Sequence, residues 1–263
     1  MRGCSGAMEQ TGDELRFGVL GQLEIVGGGV PVVIAAAKQR VALVTLLLQA
    51  GNLVTRDELI DRIWADDLPA DPPASLHTHI ARLRRSLRTG RNLIRTHDLG
   101  YSIQAGAETL DVLRFRRLAG SAAAARSRDD TGQEARLLRE ALALWRGPVL
   151  ADITSESLHR EVAPLLEEER LRAQERWFEA CIRLGEPAEV IPDLRAAVDA
   201  HPTHERLWAQ LILALSLVGR PAEARETYRT VRELLRAELG LDPGPEIRQA
   251  YARHRSARTV NLP

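Results

Sequence analysis

The chain has 263 residues, 36 basic and 36 acidic side chains, a formal net charge of zero and 44% apolar residues. That length exceeds what one small core usually organises, so two domains are expected. No stretch of about 18 apolar residues and no signal-peptide pattern is visible, so a cytoplasmic home without a membrane partner is expected; two distant cysteines, Cys4 and Cys181, exclude a disulfide framework and a cysteine-rich zinc site.

Residues 1–13 are small and polar, with a second methionine at Met8 that leaves the true start open, and they read as a disordered terminus. From Leu15 the segments LRFGVLG, LEIV and VPVVI are short β-branched runs punctuated by Gly21 and Gly27-Gly28-Gly29, which predicts three strands joined by tight turns. Residues 36–50 are apolar almost all round and end before Gly51, the pattern of a buried helix with a glycine stop. Thr55-Arg56-Asp57-Glu58 has the spacing of a capping box, and Leu59, Ile60, Ile63 and Trp64 give the helix it starts one apolar face. An acidic, proline-rich loop over residues 65–73 follows, with Asp71-Pro72 as cap and first position of the next helix.

That third helix, expected over Pro72–Arg88, carries the information. Leu76, Ile80, Leu83 and Leu87 recur at i, i+4, i+7 and i+11 and form one apolar stripe. Thr78, Arg82 and Arg85 fall on the opposite side, with His77, Arg84 and Arg88 on one flank and His79 on the other. Six arginines and no acidic residue lie between Ala74 and Arg95, a local cationic segment in a neutral protein. NLIRTH and GYSIQ, separated by Asp98-Leu99, then predict a β-hairpin with Arg95 and His97 near its tip. This order sets a basic amphipathic helix where it can enter a major groove about 12 Å wide, with the hairpin beside it. Arginine suits that task because its planar fork pairs with guanine O6 and N7.

Beyond Gln104 the composition shifts to Ala, Leu, Arg and Glu in helical periodicity, which puts a domain boundary at 105–106, a helical domain over 106–255 and a tail over 256–263. Pairing residues 34 apart aligns Trp177 with Leu211, Leu194 with Tyr228 and Ala197 with Val231, the mark of a tetratricopeptide-like repeat; an irregular helical bundle is the other reading. His77 and His79 diverge on their helix, and His201 and His204 flank a turn, so no metal site is expected. No nucleophile elbow or Walker loop occurs, so neither an enzyme nor a cofactor is expected.

THIARLRRSL (Thr78–Leu87), LIDRIW (Leu59–Trp64) and LIRTHDLGYSI (Leu93–Ile103) resemble the OmpR/PhoB-type winged helix. ALALWRGPVL (Ala141–Leu150), AHPTHERLW (Ala200–Trp208) and GRPAEARETYRTVRELLRAELGLDPGPEI (Gly219–Ile247) resemble the bacterial transcriptional activation domain. In this order they are similar to the Streptomyces antibiotic regulatory protein (SARP) family from about Leu15 to Tyr251. The resemblance implies an α+β winged helix-turn-helix domain over 14–105 followed by an all-α, tetratricopeptide-like domain. It implies an activator that binds direct repeats of double-stranded DNA near the promoter −35 region, self-associates there and recruits RNA polymerase holoenzyme, sigma factor included. Its targets would be secondary-metabolite genes and its place the nucleoid. By position, Thr78, Arg82 and Arg85 would read bases; Lys38, Arg40, His77, Arg84, Arg88, Arg95, Thr96 and Tyr101 would serve the DNA backbone or the wing. Asp66, Asp67, Leu68 and Asp71 would form the polymerase-contacting loop, and Ala36-Ala37 departs from the more polar residues expected before Lys38. A rival reading is an adaptor whose helical repeats bind a protein while the winged helix is a second docking surface.

Overall fold

A computed structural model describes residues 15–87, 90 and 92–259, with side chains described as far as Ala252. The expected disordered terminus at 1–13, Arg88 and the end of the 256–263 tail lie outside the described residues or side chains. The described chain opens on three strands, β1 (Leu15–Gly18), β2 (Glu24–Gly27) and β3 (Val30–Pro31), paired antiparallel in that order. Gly28 and Gly29 close the β2–β3 turn at φ 56° and 79°, a pair of positive values that glycine adopts without a Cβ penalty.

Helix α1 (Ala37–Leu48) is sunk in the core, with Val41, Ala42, Leu43, Val44, Leu46 and Leu47 at most 2% exposed, as its nearly continuous apolar sequence requires. A two-residue strand, β4 (Val54–Thr55), leads into α2 (Arg56–Trp64). The Thr55 hydroxyl accepts from the Glu58 amide at 3.2 Å, which is half of the expected capping box. The other half is replaced, since the Glu58 carboxylate accepts from Gln49 Nε2 at 2.6 Å.

Helix α3 (Pro72–Ser86) begins where Asp71 Oδ1 accepts from the Ala74 amide at 3.0 Å, with Pro72 in the first turn. The hairpin β5 (Ile94–His97) and β6 (Gly100–Ile103) completes a second sheet of order β4-β6-β5. Gly100 is obligatory there, because a Cβ would collide with the Val54 carbonyl across the β4–β6 pair.

Eight helices follow among the described residues: α4 (Asp111–Ser127), α5 (Thr131–Leu142), α6 (Glu156–Glu161), α7 (Ala163–Arg183), α8 (Pro187–Ala200), α9 (Glu205–Leu217), α10 (Pro221–Leu239) and α11 (Pro245–Thr259). The fold is thus an α+β winged helix-turn-helix region followed by an all-α, tetratricopeptide-like region.

Packing divides the chain elsewhere than at the compositional change near residue 105. One compact unit runs to Gly120 and includes Glu140–Arg170; the other comprises Ser121–Arg139 and the chain from Leu171. Within the first unit the Asp111 carboxylate accepts from the Val19 amide at 2.9 and 3.0 Å and from the Leu20 amide at 3.0 Å. Burial pushes its acidity toward weaker values, against those amides and Arg146. Leu23 donates to Asp152 at 2.8 Å, Ser155 donates to the Arg62 carbonyl at 2.7 Å, and Arg62 meets Glu161 at 2.7 Å. Phe115 and Trp145 add an edge-to-face contact at 5.4 Å.

In the second unit α9 packs against α8, α10 and α11. Its core holds Phe178, Leu194, Leu207, Leu211, Ile212 and Val231. Cys181 is fully buried in it, and burial pushes its thiol up to about 11, so it packs as an inert apolar residue. The 34-residue period is visible in the backbone. Gly185 and Gly219 both take positive φ, at 83° and 75°, and Pro187 and Pro221 both start helices two residues later. The Glu186 amide donates to Cys181 O and the Arg220 amide to Leu215 O, each at 2.9 Å, so the two turns repeat bond for bond. Among the described residues no helix is long and apolar enough to cross a membrane.

Candidate nucleic-acid interface

Helix α3 is fixed by its stripe: Leu76, Ile80, Leu83 and Leu87 are all 0% exposed. The rigid anchoring decides where the other face points. His77, Thr78, Arg82 and Arg85 are exposed, and neither Arg82 nor Arg85 has an ion-pair partner among the described residues. Thr78 is exposed and folds its hydroxyl back to the Ala74 carbonyl at 3.0 Å. The helix therefore presents two guanidinium forks without an ion-pair partner among the described residues, and a small side chain, on a rigid element.

The hairpin is held against α3 by a residue of the expected backbone-contact set. Arg84 donates from Nε and Nη2 to the Ile94 carbonyl, at 3.2 and 2.9 Å, and from Nη2 to Thr96 Oγ1 at 2.8 Å. Its guanidinium also lies 6.0 Å from the Tyr101 ring, and Tyr101 is itself 3% exposed. Arg84 and Tyr101 thus hold the hairpin in place, while Arg95 and Thr96 remain exposed on β5. His97 Nε2 meets Ser102 Oγ at 2.8 Å across the hairpin. Arg56, which the pattern of the sequence did not single out, ties the start of α2 to the tip: its amide donates to Leu99 O at 3.0 Å and its Nη2 to His97 O at 3.4 Å. Only the β4–β6 pairing, which no local pattern announces, brings Arg56 there.

Arg40 is also internally engaged. Its Nη1 donates to the Ile34 and Ala35 carbonyls at 3.3 and 3.1 Å, its Nη2 to the Asp152 carbonyl at 3.3 Å, and its Nε lies 3.6 Å from Asp152 Oδ2. With Ala36 offering no side-chain cap, Arg40 organises the entry to α1. Lys38 sits 5.4 Å over the Trp64 ring, whose edge meets His79 at 5.5 Å. Burial first, then the charges of Arg82 and Lys38, hold the His79 imidazole below its ordinary range, so it adds no charge near neutral pH. In the acidic loop Asp66, Asp67 and Leu68 are exposed, whereas Asp71 spends its carboxylate on the α3 cap.

With that geometry in view, the relatives are informative. The bacterial transcriptional activator domain matches residues 110–255, and the C-terminal domain of transcriptional regulatory proteins matches residues 32–103. Regulatory protein DnrI of Streptomyces peucetius is 34% identical over 243 residues, which cover 89% of each protein. The chain belongs to the SARP family of transcriptional regulators.

Other members are longer. Regulatory protein AfsR of Streptomyces coelicolor is 37% identical over 94% of this chain, but this SARP-family chain spans only 25% of AfsR. The structure of Mycobacterium tuberculosis EmbR in complex with a low affinity phosphopeptide superposes with a TM-score of 0.86 at 33% identity, covering 92% of this chain and 65% of EmbR. Among the described residues no group of three or more His, Cys, Asp or Glu side chains is placed to hold a metal ion.

Proposed function

We propose that this SARP-family protein is a sequence-specific DNA-binding activator in which Thr78, Arg82 and Arg85 read base edges in a major groove. The observation that carries the reading is the division of α3 into a fully buried stripe and an outer face with two arginines lacking ion-pair partners among the described residues. A helix docked only against protein has no need of such a face, which weighs against the adaptor reading. Arg95 and Thr96 on the hairpin, with His77, are the phosphate-facing candidates, and Arg84 acts by holding the hairpin at the right distance. Arg40 acts by organising the start of α1, while Lys38, whose ammonium lies over the Trp64 ring, stays among the phosphate-facing candidates.

The exposed Asp66, Asp67 and Leu68 form the polymerase-facing loop, with Asp71 securing the helix that follows. The sites are direct repeats near a promoter −35 region, occupied by protomers that associate on DNA, and the controlled genes belong to a secondary-metabolite cluster. Selection from a random-sequence duplex library, followed by footprinting of the enriched sites, tests this reading. Two head-to-tail half-sites and a footprint abutting the −35 element are expected. A palindromic footprint, or no enrichment at all, would overturn it.

A further inference from the structure

The first unit contains an open hollow of about 950 Å³ between strand β3 and the C-terminal half of α3. One wall is apolar, with Val30 64% and Val33 79% exposed, and the other carries Arg82 and Arg85. Its described lining holds these two cations and no acidic side chain, and neither arginine has an ion-pair partner among the described residues. Leu15, the first described residue, also lines it.

A fitting occupant is acidic with a small apolar component, and the chain itself brings one to the mouth. Residues 8–14, MEQTGDE, carry three carboxylates, one large apolar side chain and no cation. They join the protein at Leu15, so Asp13 and Glu14 can stray no more than about 7 Å along the chain from a wall of the hollow. A tether that short gives an effective concentration on the order of millimolar, which lets individually weak surface ion pairs add up to occupancy. A second copy or a separate acidic partner has no such advantage.

We propose that residues 8–14 dock in this hollow, with Glu9, Asp13 and Glu14 set against Arg82 and Arg85 and with Met8 against Val30 and Val33. Docking screens the two arginines from phosphate and bases, and so sets a threshold that DNA must overcome. The screening rests on the base-reading role of Arg82 and Arg85; the docking does not.

Docking and screening can be measured separately. For docking, bimane is attached at Gln10→Cys in the full chain carrying Cys4→Ser; Cys181 is buried and its thiol, pushed up to about 11, does not compete for the label. Without DNA, bimane anisotropy should be independent of protein concentration, and should fall on Arg82→Gln/Arg85→Gln, on Glu9→Gln/Asp13→Asn/Glu14→Gln and in about 0.5 M salt. Arg225→Gln, at an exposed position of α10, should leave it unchanged. For screening, Glu9→Gln/Asp13→Asn/Glu14→Gln should bind a selected duplex about 3- to 10-fold more tightly than the parent at low salt. Glu226→Gln/Glu233→Gln/Glu238→Gln, which removes the same charge from exposed positions of α10, should tighten it less than about 2-fold. Parental anisotropy in both hollow variants, or an anisotropy that falls on dilution because the segment reaches a second copy, would overturn docking. Unchanged duplex affinity beside a responsive anisotropy would leave docking standing and count against base reading by Arg82 and Arg85.

Discussion

Arginine has opposite fates in the two halves of this molecule. In the helical unit Arg126 and Arg176 converge on Glu134, a carboxylate that is 0% exposed, and Arg126 and Arg206 both engage Glu179. Those two partners outweigh the effect of burial and hold Glu179 below the usual carboxylate range. On α3, Arg82 and Arg85 have no ion-pair partner among the described residues and remain open. A net charge of zero therefore averages a self-neutralised scaffold with a short exposed cationic face. The lesson is that the number of arginines says little; whether a carboxylate lies within reach separates a structural charge from a functional one.

The buried supports beneath both sets of arginines carry the largest expected effects. Ile80→Ala should lower unfolding stability by about 2–5 kcal/mol, because it opens a cavity under α3 in a fully buried stripe, and DNA affinity should fall with it. Glu134→Ala should cost about 3 kcal/mol, the lower end for a buried pair, since its arginines reach solvent while the carboxylate does not. Denaturant titration reads both, and a loss below about 1 kcal/mol in either would mean the assigned packing is wrong. Asp71→Ala should cost about 1 kcal/mol of stability by removing the α3 cap, with base preference unchanged.

The smallest effect concerns His79. Its folded-state value lies below the ordinary 6.5, so on acidification the unfolded chain takes up the proton first. Stability contributed by the neutral ring is complete above about pH 6.5 and is lost as pH falls toward the lower folded value. His79→Gln should flatten that part of the pH–stability curve; an unchanged slope would show that the ring does not titrate differently in the fold.

Much of the first unit was legible because its signals are local. The leucine stripe of α3, the Asp71-Pro72 start and the Asp98-Leu99 turn each depend on neighbours a few residues away. The strand β4 was not legible, since a two-residue strand has no period and exists only by pairing with β6. The internal engagement of Arg40 depends on Asp152, 112 residues later in the chain, and no periodicity reports that contact. The same applies to Asp111, whose carboxylate secures amides 91 and 92 residues earlier. The 34-residue repeat was seen through apolar spacing alone, although the glycine and proline pairs at 185 and 219, and 187 and 221, mark it more sharply. Their signal is a backbone requirement at a turn, which outlasts exchange of the side chains around it.

Base reading by Arg82 and Arg85 is tested most directly by measuring the affinity of Arg82→Ala and Arg85→Ala for a selected duplex and its single-base variants. Each substitution should cost about 1–3 kcal/mol on the selected site and abolish discrimination at one or two base pairs, with stability within about 0.5 kcal/mol of the parent. Parental affinity, or a loss equal across all sequences, would contradict the account.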